Sequence, residues 1–238
     1  MPEPGLEYHE IVLGGPADAE KFDVQGYSTV DFPGKVNTID ALTRLNGRLN
    51  NGVYGYVNAG DWSLPVLWGA ALTYRNGVYG EIGFRNGISA IAFAMAAEET
   101  DGKVYSIDID SCETGLANVK EVGLDHRHTF IQGDSTDGST VFPEKLDVLY
   151  IDGNHNYESV KADYELHAKM VKPGGIIFFH DPIIHMDGVG KFLIENQIYF
   201  IPIGVGLGIR WVPFEQGQTS VRPGLTDRPA IMRMKVDA

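Results

Sequence analysis

One cysteine, Cys112, is present in 238 residues. A single thiol excludes an intrachain disulfide, and nothing points to an oxidising compartment. Basic residues are also scarce: 19 Lys and Arg stand against 32 Asp and Glu, a formal net charge of -13. That deficit argues against nucleic acid, whose phosphates need a basic surface, and against an anionic membrane. Long apolar runs are missing, with none near the roughly 18–20 residues that span a bilayer. The start, Met1-Pro2-Glu3-Pro4-Gly5, has neither the basic residues nor the apolar core of a secretory signal. A cytoplasmic protein with no nucleic-acid or membrane partner is expected.

What is there is ordinary globular composition, 43% hydrophobic and 21% charged. The length suits one α/β domain with decorations. Residues 1–50 read as an arm or lid ending in a short helix over Thr38 to Leu49. Residues 51–213 form the main domain and 214–238 an irregular tail. Strands are expected at Val78–Ile82, Lys103–Asp108, His128–Gln132, Leu146–Ile151 and Ile176–Phe179, with Pro173-Gly174-Gly175 as a turn. Helices are expected near Leu64–Tyr74, Ile88–Glu99, Glu113–Val122, Tyr157–Met170 and Val189–Asn196. Tyr199–Ile203 and Ile209–Pro213 flank Gly204 to Gly208 as a β-hairpin. The alternation predicts an α/β, Rossmann-like, seven-stranded and mostly parallel sheet. Helices cover both faces, and a C-terminal antiparallel hairpin leaves six strands parallel and one antiparallel.

Glu81-Ile82-Gly83-Phe84-Arg85-Asn86-Gly87-Ile88-Ser89 joins the first of these strands to its helix. Glycines there let backbone approach a ligand, and the helix start offers free N–H groups to an anion. Pyrophosphate or an amino-acid carboxylate would suit the loop, and so would a plain strand-turn-helix junction. Asp108 ends the next strand about twenty residues on, where this fold places a carboxylate on ribose hydroxyls. A turn or helix cap is the other reading. Asp134 and Ser135 follow the third strand, where small polar groups border adenine or simply close a turn.

Asp152 ends the fourth strand; His180 and Asp181 end the fifth. Carboxylates at adjacent strand ends can converge on a hard cation such as Mg²⁺. His155 follows Asp152 by three residues, and an imidazole can serve as a base near neutral pH. Capping, or packing on Tyr157, is the alternative for His155; a backbone hydrogen bond is the alternative for His180. Cys112 at a helix start could carry thiolate character. Trp62 and Trp68 are expected around the entry helix, and Trp211 in the core or a subunit interface. His126, Arg127 and His128 are expected on a solvated loop.

These motifs resemble those of class I S-adenosylmethionine-dependent methyltransferases. Glu81 to Ser89 is similar to the first motif of the catechol O-methyltransferase type. Asn58-Ala59-Gly60-Asp61 resembles the segment that closes over the methionine end of the cofactor. Tyr150-Ile151-Asp152-Gly153-Asn154-His155-Asn156-Tyr157 resembles the branch of macrolide-sugar O-methyltransferases and cephalosporin-hydroxylase-like proteins, as does Lys172-Pro173-Gly174-Gly175 to His180-Asp181. The resemblance spans residues 55–181.

It implies S-adenosylmethionine as cofactor. Glu81, Gly83, Gly87 and Ser89 would hold the methionine moiety, aided by Ala59. Asp108 would take the ribose, Asp134 and Ser135 would border adenine, and Asp152 would sit beside the cofactor. It also implies a divalent metal, Mg²⁺ first, at Asp152, His180 and Asp181, with His155 and Asp152 as catalytic residues. The acceptor would be a small-molecule hydroxyl on a sugar, phenol or natural product. The catechol type has Asn after its second metal Asp, whereas Pro182 follows Asp181 here. The third ligand then falls to His180, His185, Asp187, water or substrate, and histidine suits Mn²⁺, Fe²⁺ or Zn²⁺ better than Mg²⁺. Three rivals fit the same residues: an NAD-dependent oxidoreductase, a non-catalytic S-adenosylmethionine-binding module, and a metal-independent N- or C-methyltransferase. The arm and the hairpin are candidate surfaces for a homo-oligomer.

Overall fold

The computed structural model describes residues 7–14, 63–201, 205–213 and 229–236, the first and last as backbone only. The expected helix over Thr38 to Leu49, together with Ala59 and Trp62, lies outside the described residues. The elements run β1 (Glu7–Gly14), α1 (Ser63–Ala71), β2 (Val78–Ile82), α2 (Ile88–Thr100), β3 (Lys103–Asp108), α3 (Glu113–Glu121) and β4 (His128–Gln132). They continue with β5 (Leu146–Ile151), α4 (Tyr157–His167), β6 (Val171–His180), α5 (Lys191–Glu195), β7 (Tyr199–Ile201), β8 (Leu207–Trp211) and β9 (Pro229–Val236).

Seven strands form one sheet in the order β4-β3-β2-β5-β6-β8-β7. All neighbours pair in parallel except β8, which is antiparallel to both β6 and β7. Six strands therefore run one way and one runs back, as expected. The central strands β2 and β5 are buried along their whole length. Strands covered on both faces become continuous apolar runs, which is why Leu146–Ile151 does not alternate. One face packs Leu67, Trp68, Phe93, Tyr150 and Phe178 beneath α1 and α2. The other packs Ile107, Leu149, Val160, Phe179 and Phe192 beneath α4 and α5. Each such side chain contributes about 1.5–3 kcal/mol by leaving water. Helix α2 is apolar nearly all round because it is enclosed.

Three expectations are corrected. Residues 173–175 are no turn between elements but part of β6, where the pairing with β5 shifts register between Leu146 and Val148. Gly174 takes φ 75 there, and Gly174 N–H and Gly175 C=O bond to Val212 instead. The extra residues are absorbed as an irregularity because Val212, just beyond β8, supplies those partners. The flanks are not all irregular either: β1 and β9 pair antiparallel along their full lengths, Glu7 opposite Val236. Of the two places expected for Trp211, core or subunit interface, the core is excluded: it is 38% exposed at the end of β8.

Register sets the working edge. Ile82 pairs with both Ile107 and Ile151, and Ile151 pairs with Phe179. The next residue on each strand is therefore Gly83, Asp108, Asp152 or His180, and all four emerge at one edge. The crossovers leave β2 on one side for β3 and later return to β5 on the other. That reversal is the switch point where open α/β sheets bind ligands.

Candidate active site

The glycine loop is held from three sides. Gly83 has φ 94, a conformation that favours glycine, and a Cβ there would overlap the carbonyl oxygen of Asp152. Gly87 caps α2 in the left-handed region at φ 74. Phe84 anchors the loop by stacking on His128, with ring centroids 4.8 Å apart. Asp108 Oδ2 accepts from the N–H groups of Phe84 (2.8 Å) and Arg85 (3.0 Å). Asp108 Oδ1 accepts from Asp110 N–H at 3.0 Å. In this structure Asp108 closes the loop that the sequence assigned to the cofactor.

Glu81 is fully buried beneath the loop. Its Oε1 accepts from Ser106 Oγ at 2.6 Å, while Oε2 makes no hydrogen bond. Burial is the main cause that raises its pKa to about 8; Ser106 and Ser89 oppose it only in part. Ser89 is itself buried at the start of α2. Ser106 Oγ lies 2.7 Å from His128 Nε2. Burial holds the His128 pKa down to about 4. Placing His128 on a solvated loop is thus corrected. Only its neighbours face water, where Arg127 bridges Glu98 and Asp101 and His126 pairs with Glu98. Sequence reasoning missed the Glu81–Ser106–His128 chain. Its one trace is a serine among the buried positions of β3.

Asp134 and Ser135 are already engaged. Asp134 Oδ1 accepts from Thr136 N–H (2.8 Å) and Oγ (2.7 Å). Ser135 Oγ donates to Asp163 Oδ1 at 2.7 Å. Asp163 sits on α4 with its pKa raised, chiefly by burial, to about 6. Cys112 caps α3, but burial and then the charge of Asp108 push its pKa up to about 12, so the expected thiolate character is corrected.

The second half of the site is a cluster of carboxylates and imidazoles. Asp152 Oδ1 lies 2.9 Å from His180 Nδ1 and 3.2 Å from His155 Nε2. His180 Nδ1 is also 3.3 Å from Asp181 Oδ1, a buried atom with no hydrogen bond of good geometry. Asp181 Oδ2 faces His155 Nε2 at 3.8 Å and His185 Nε2 at 3.9 Å. The rings of His155 and His185 stack, 4.4 Å between centroids and 9° between planes.

Local backbone explains this convergence. Asn154 Oδ1 accepts from Asn156 N–H, and Asn156 caps α4 by accepting from Ser159 N–H. That double turn folds His155 back over Asp152. Asp181 adopts φ 58, a left-handed conformation that Asp tolerates, just after β6. His185 N–H donates to Asp181 C=O at 3.0 Å, returning its ring to the cluster. A π-turn, Met186–Gly190, follows, and Gly188 there packs directly on the His155 backbone. Asp187 is exposed.

Burial is the largest influence on Asp152 and would raise its pKa, but His180 and His155 outweigh it and hold the carboxyl down to about 2. Asp181 is raised, by burial first and then by the like charge of Asp152. Paired carboxylates beside imidazole nitrogens, with one buried oxygen unsatisfied, fit a bound divalent cation. Of the expected ligands, Asp152, His180 and Asp181 do come together, with His155 and His185 beside them.

A family model described as a methyltransferase domain matches residues 81–182. A putative caffeoyl-CoA O-methyltransferase of Arabidopsis thaliana is 28% identical over 190 residues, covering 73% of this chain and 80% of that protein. The tapetum-specific methyltransferase 1 of the same plant is 34% identical over 113 residues, covering 43% of this chain and 46% of its own length. The chain thus spans less than half of that second relative. Among solved structures, the O-methyltransferase TomG of Streptomyces achromogenes, bound to S-adenosylmethionine, has a TM-score of 0.57 at 16% identity over 73% of this chain and 90% of its own. A putative caffeoyl-CoA O-methyltransferase from Staphylococcus aureus has a TM-score of 0.58, also at 16% identity, over 73% and 96%. These structures share the fold.

Sheet order, glycine loop and matches together define a class I S-adenosylmethionine-dependent methyltransferase. Within that class the chain is similar to the caffeoyl-CoA O-methyltransferases, through the domain match at residues 81–182 and the Arabidopsis relative at 28% identity.

Proposed function

We propose that this enzyme methylates a hydroxyl oxygen of a small molecule, a phenol foremost, with help from a divalent metal. One observation carries the reading: the Asp152, His155, His180 and Asp181 cluster stands at the strand edge directly beside Gly83. A methyl donor over the glycine loop would face an acceptor held at the cluster, and in-line transfer needs that proximity.

In this reading Glu81, Gly83, Gly87 and Ser89 hold the methionine end. Asp108 would turn from the loop amides to the ribose, and Asp134 and Ser135 border adenine through their backbone. Asp152, His180 and Asp181 would hold the metal. A bound ion would lower the pKa of the acceptor hydroxyl. His155 takes the hydroxyl proton as the oxygen attacks the methyl carbon. The carbon–sulfur bond breaks, leaving a methyl ether and S-adenosylhomocysteine. Residues 51–213 form the catalytic unit in this proposal, with 1–50 and 214–238 as arm and tail joined through β1 and β9. Its single cysteine suits a reducing cytoplasm.

The test is incubation with S-adenosylmethionine and a panel of catechols, simple phenols and sugars, with products read by mass spectrometry. A methyl ether from a catechol supports the proposal. Methylation confined to amines or carbon acids would overturn it.

A further inference from the structure

The side chains that would meet a cation here are unusually rich in nitrogen. Two overlapping groups, Asp152 with His155 and His180, and His155 with Asp181 and His185, each keep their donor atoms within 4.8 Å of one another. Donors that share one ion at about 2.1 Å stand roughly 3.0–3.4 Å apart at right or tetrahedral angles. The separations of 2.9 Å from His180 Nδ1 to Asp152, 3.2 Å from His155 Nε2 to Asp152, and 3.3 Å from His180 Nδ1 to Asp181 sit in or beside that range. His180 thus stands between both carboxylates, with its Nδ1 as their common neighbour.

Mg²⁺ takes oxygen ligands in octahedral geometry and parts reluctantly with water. This site offers two carboxylates and three imidazoles, and Pro182, which follows Asp181, has no side-chain oxygen to add. Imidazole with carboxylate suits borderline ions.

We infer that the site selects a transition ion of the Mn²⁺, Fe²⁺, Co²⁺ or Zn²⁺ class over Mg²⁺, with His180 Nδ1 as the ligand that decides it. Coordination through Nδ1 leaves the His180 hydrogen on Nε2. His185 stacks on His155 at the same cluster. This inference rests on the metal-assisted reading above and departs from the Mg²⁺ expected from the sequence.

The experiment uses the full chain, stripped with chelator and titrated with micromolar Co²⁺ while visible absorption is recorded. The expected result is ligand-field bands that persist in millimolar Mg²⁺ and collapse on adding Zn²⁺. His180→Asn should lose those bands while its circular dichroism stays native. No bands in the wild-type protein, their loss to Mg²⁺, or equal bands in His180→Asn would each overturn the inference. The Mg²⁺ challenge decides the point even where the variant fails to fold. Calorimetry of S-adenosylhomocysteine and a catechol assay on the same samples separate the two claims. Catechol methylation with Mg²⁺ winning the site defeats the metal selection alone. Stable Co²⁺ bands without any methylation defeat the proposed function alone.

Discussion

Gly83 and Asp152 meet backbone to backbone: a side chain on the glycine would stand on the aspartate's carbonyl oxygen. The cofactor loop and the acceptor cluster are therefore mechanically one object. Asp152 N–H donates to Ile82 C=O and Gly83 N–H to Ile107 C=O, so neither residue can retreat freely. Gly83→Ala should weaken S-adenosylhomocysteine binding and lower the melting temperature together. The left-handed backbone alone costs about 1–2 kcal/mol for a residue with a Cβ. Differential scanning fluorimetry with and without ligand checks this; an unchanged melting temperature and affinity would refute the close contact.

Glu81 sets a pH dependence. Its folded pKa of about 8 lies above the ordinary 4.5, with burial as the main cause. The folded protein keeps a proton that the unfolded chain releases. The stability this contributes is complete below pH 4.5 and is lost as pH rises through about 8. Glu81→Gln carries no such proton, so wild-type stability should fall relative to the variant across that interval. Urea denaturation of both proteins at several pH values measures the difference. A difference independent of pH would contradict the buried acid.

Ser135 is assigned a structural bond as well as a place near adenine. Its hydroxyl is the hydrogen-bond donor to Asp163 Oδ1. Ser135→Ala leaves that buried carboxyl short of a partner and should destabilise the fold by about 1–3 kcal/mol. Cofactor affinity should change little, because the side chain faces α4. A large affinity loss with unchanged stability would reverse the assignment.

His155→Ala should cut turnover by about 10²–10⁴-fold, the usual contribution of a positioned base, while S-adenosylmethionine affinity stays near wild type. Steady-state rates with a catechol acceptor and calorimetry on the same preparation make the comparison. Full activity in the variant would move the base elsewhere in the cluster, His185 first.

Much of this was legible in the chain. Strands β2 and β5 were readable because each is a short apolar run bounded by turn residues, and Asp152, His180 and Asp181 because polar residues at strand ends must share one edge. That His155 and His185 fold back onto them depends on an Asn154 turn and a left-handed Asp181, which residue type permits but does not dictate. The pairing of β1 with β9 joins opposite ends of the chain, so no local pattern announces it. The same holds for the Glu81–Ser106–His128 chain: each link crosses from one strand to the next, and only register brings them together. Cys112 misled because a helix start favours a thiolate, whereas here Asp108 sits beside it and burial acts the same way.

Binding of the methyl donor tests the central claim most directly. Calorimetric titration of the full chain with S-adenosylmethionine and S-adenosylhomocysteine, each with and without divalent metal and with NAD as control, should give micromolar affinity for both sulfur ligands and none for NAD. Absence of binding to either sulfur ligand would contradict the account.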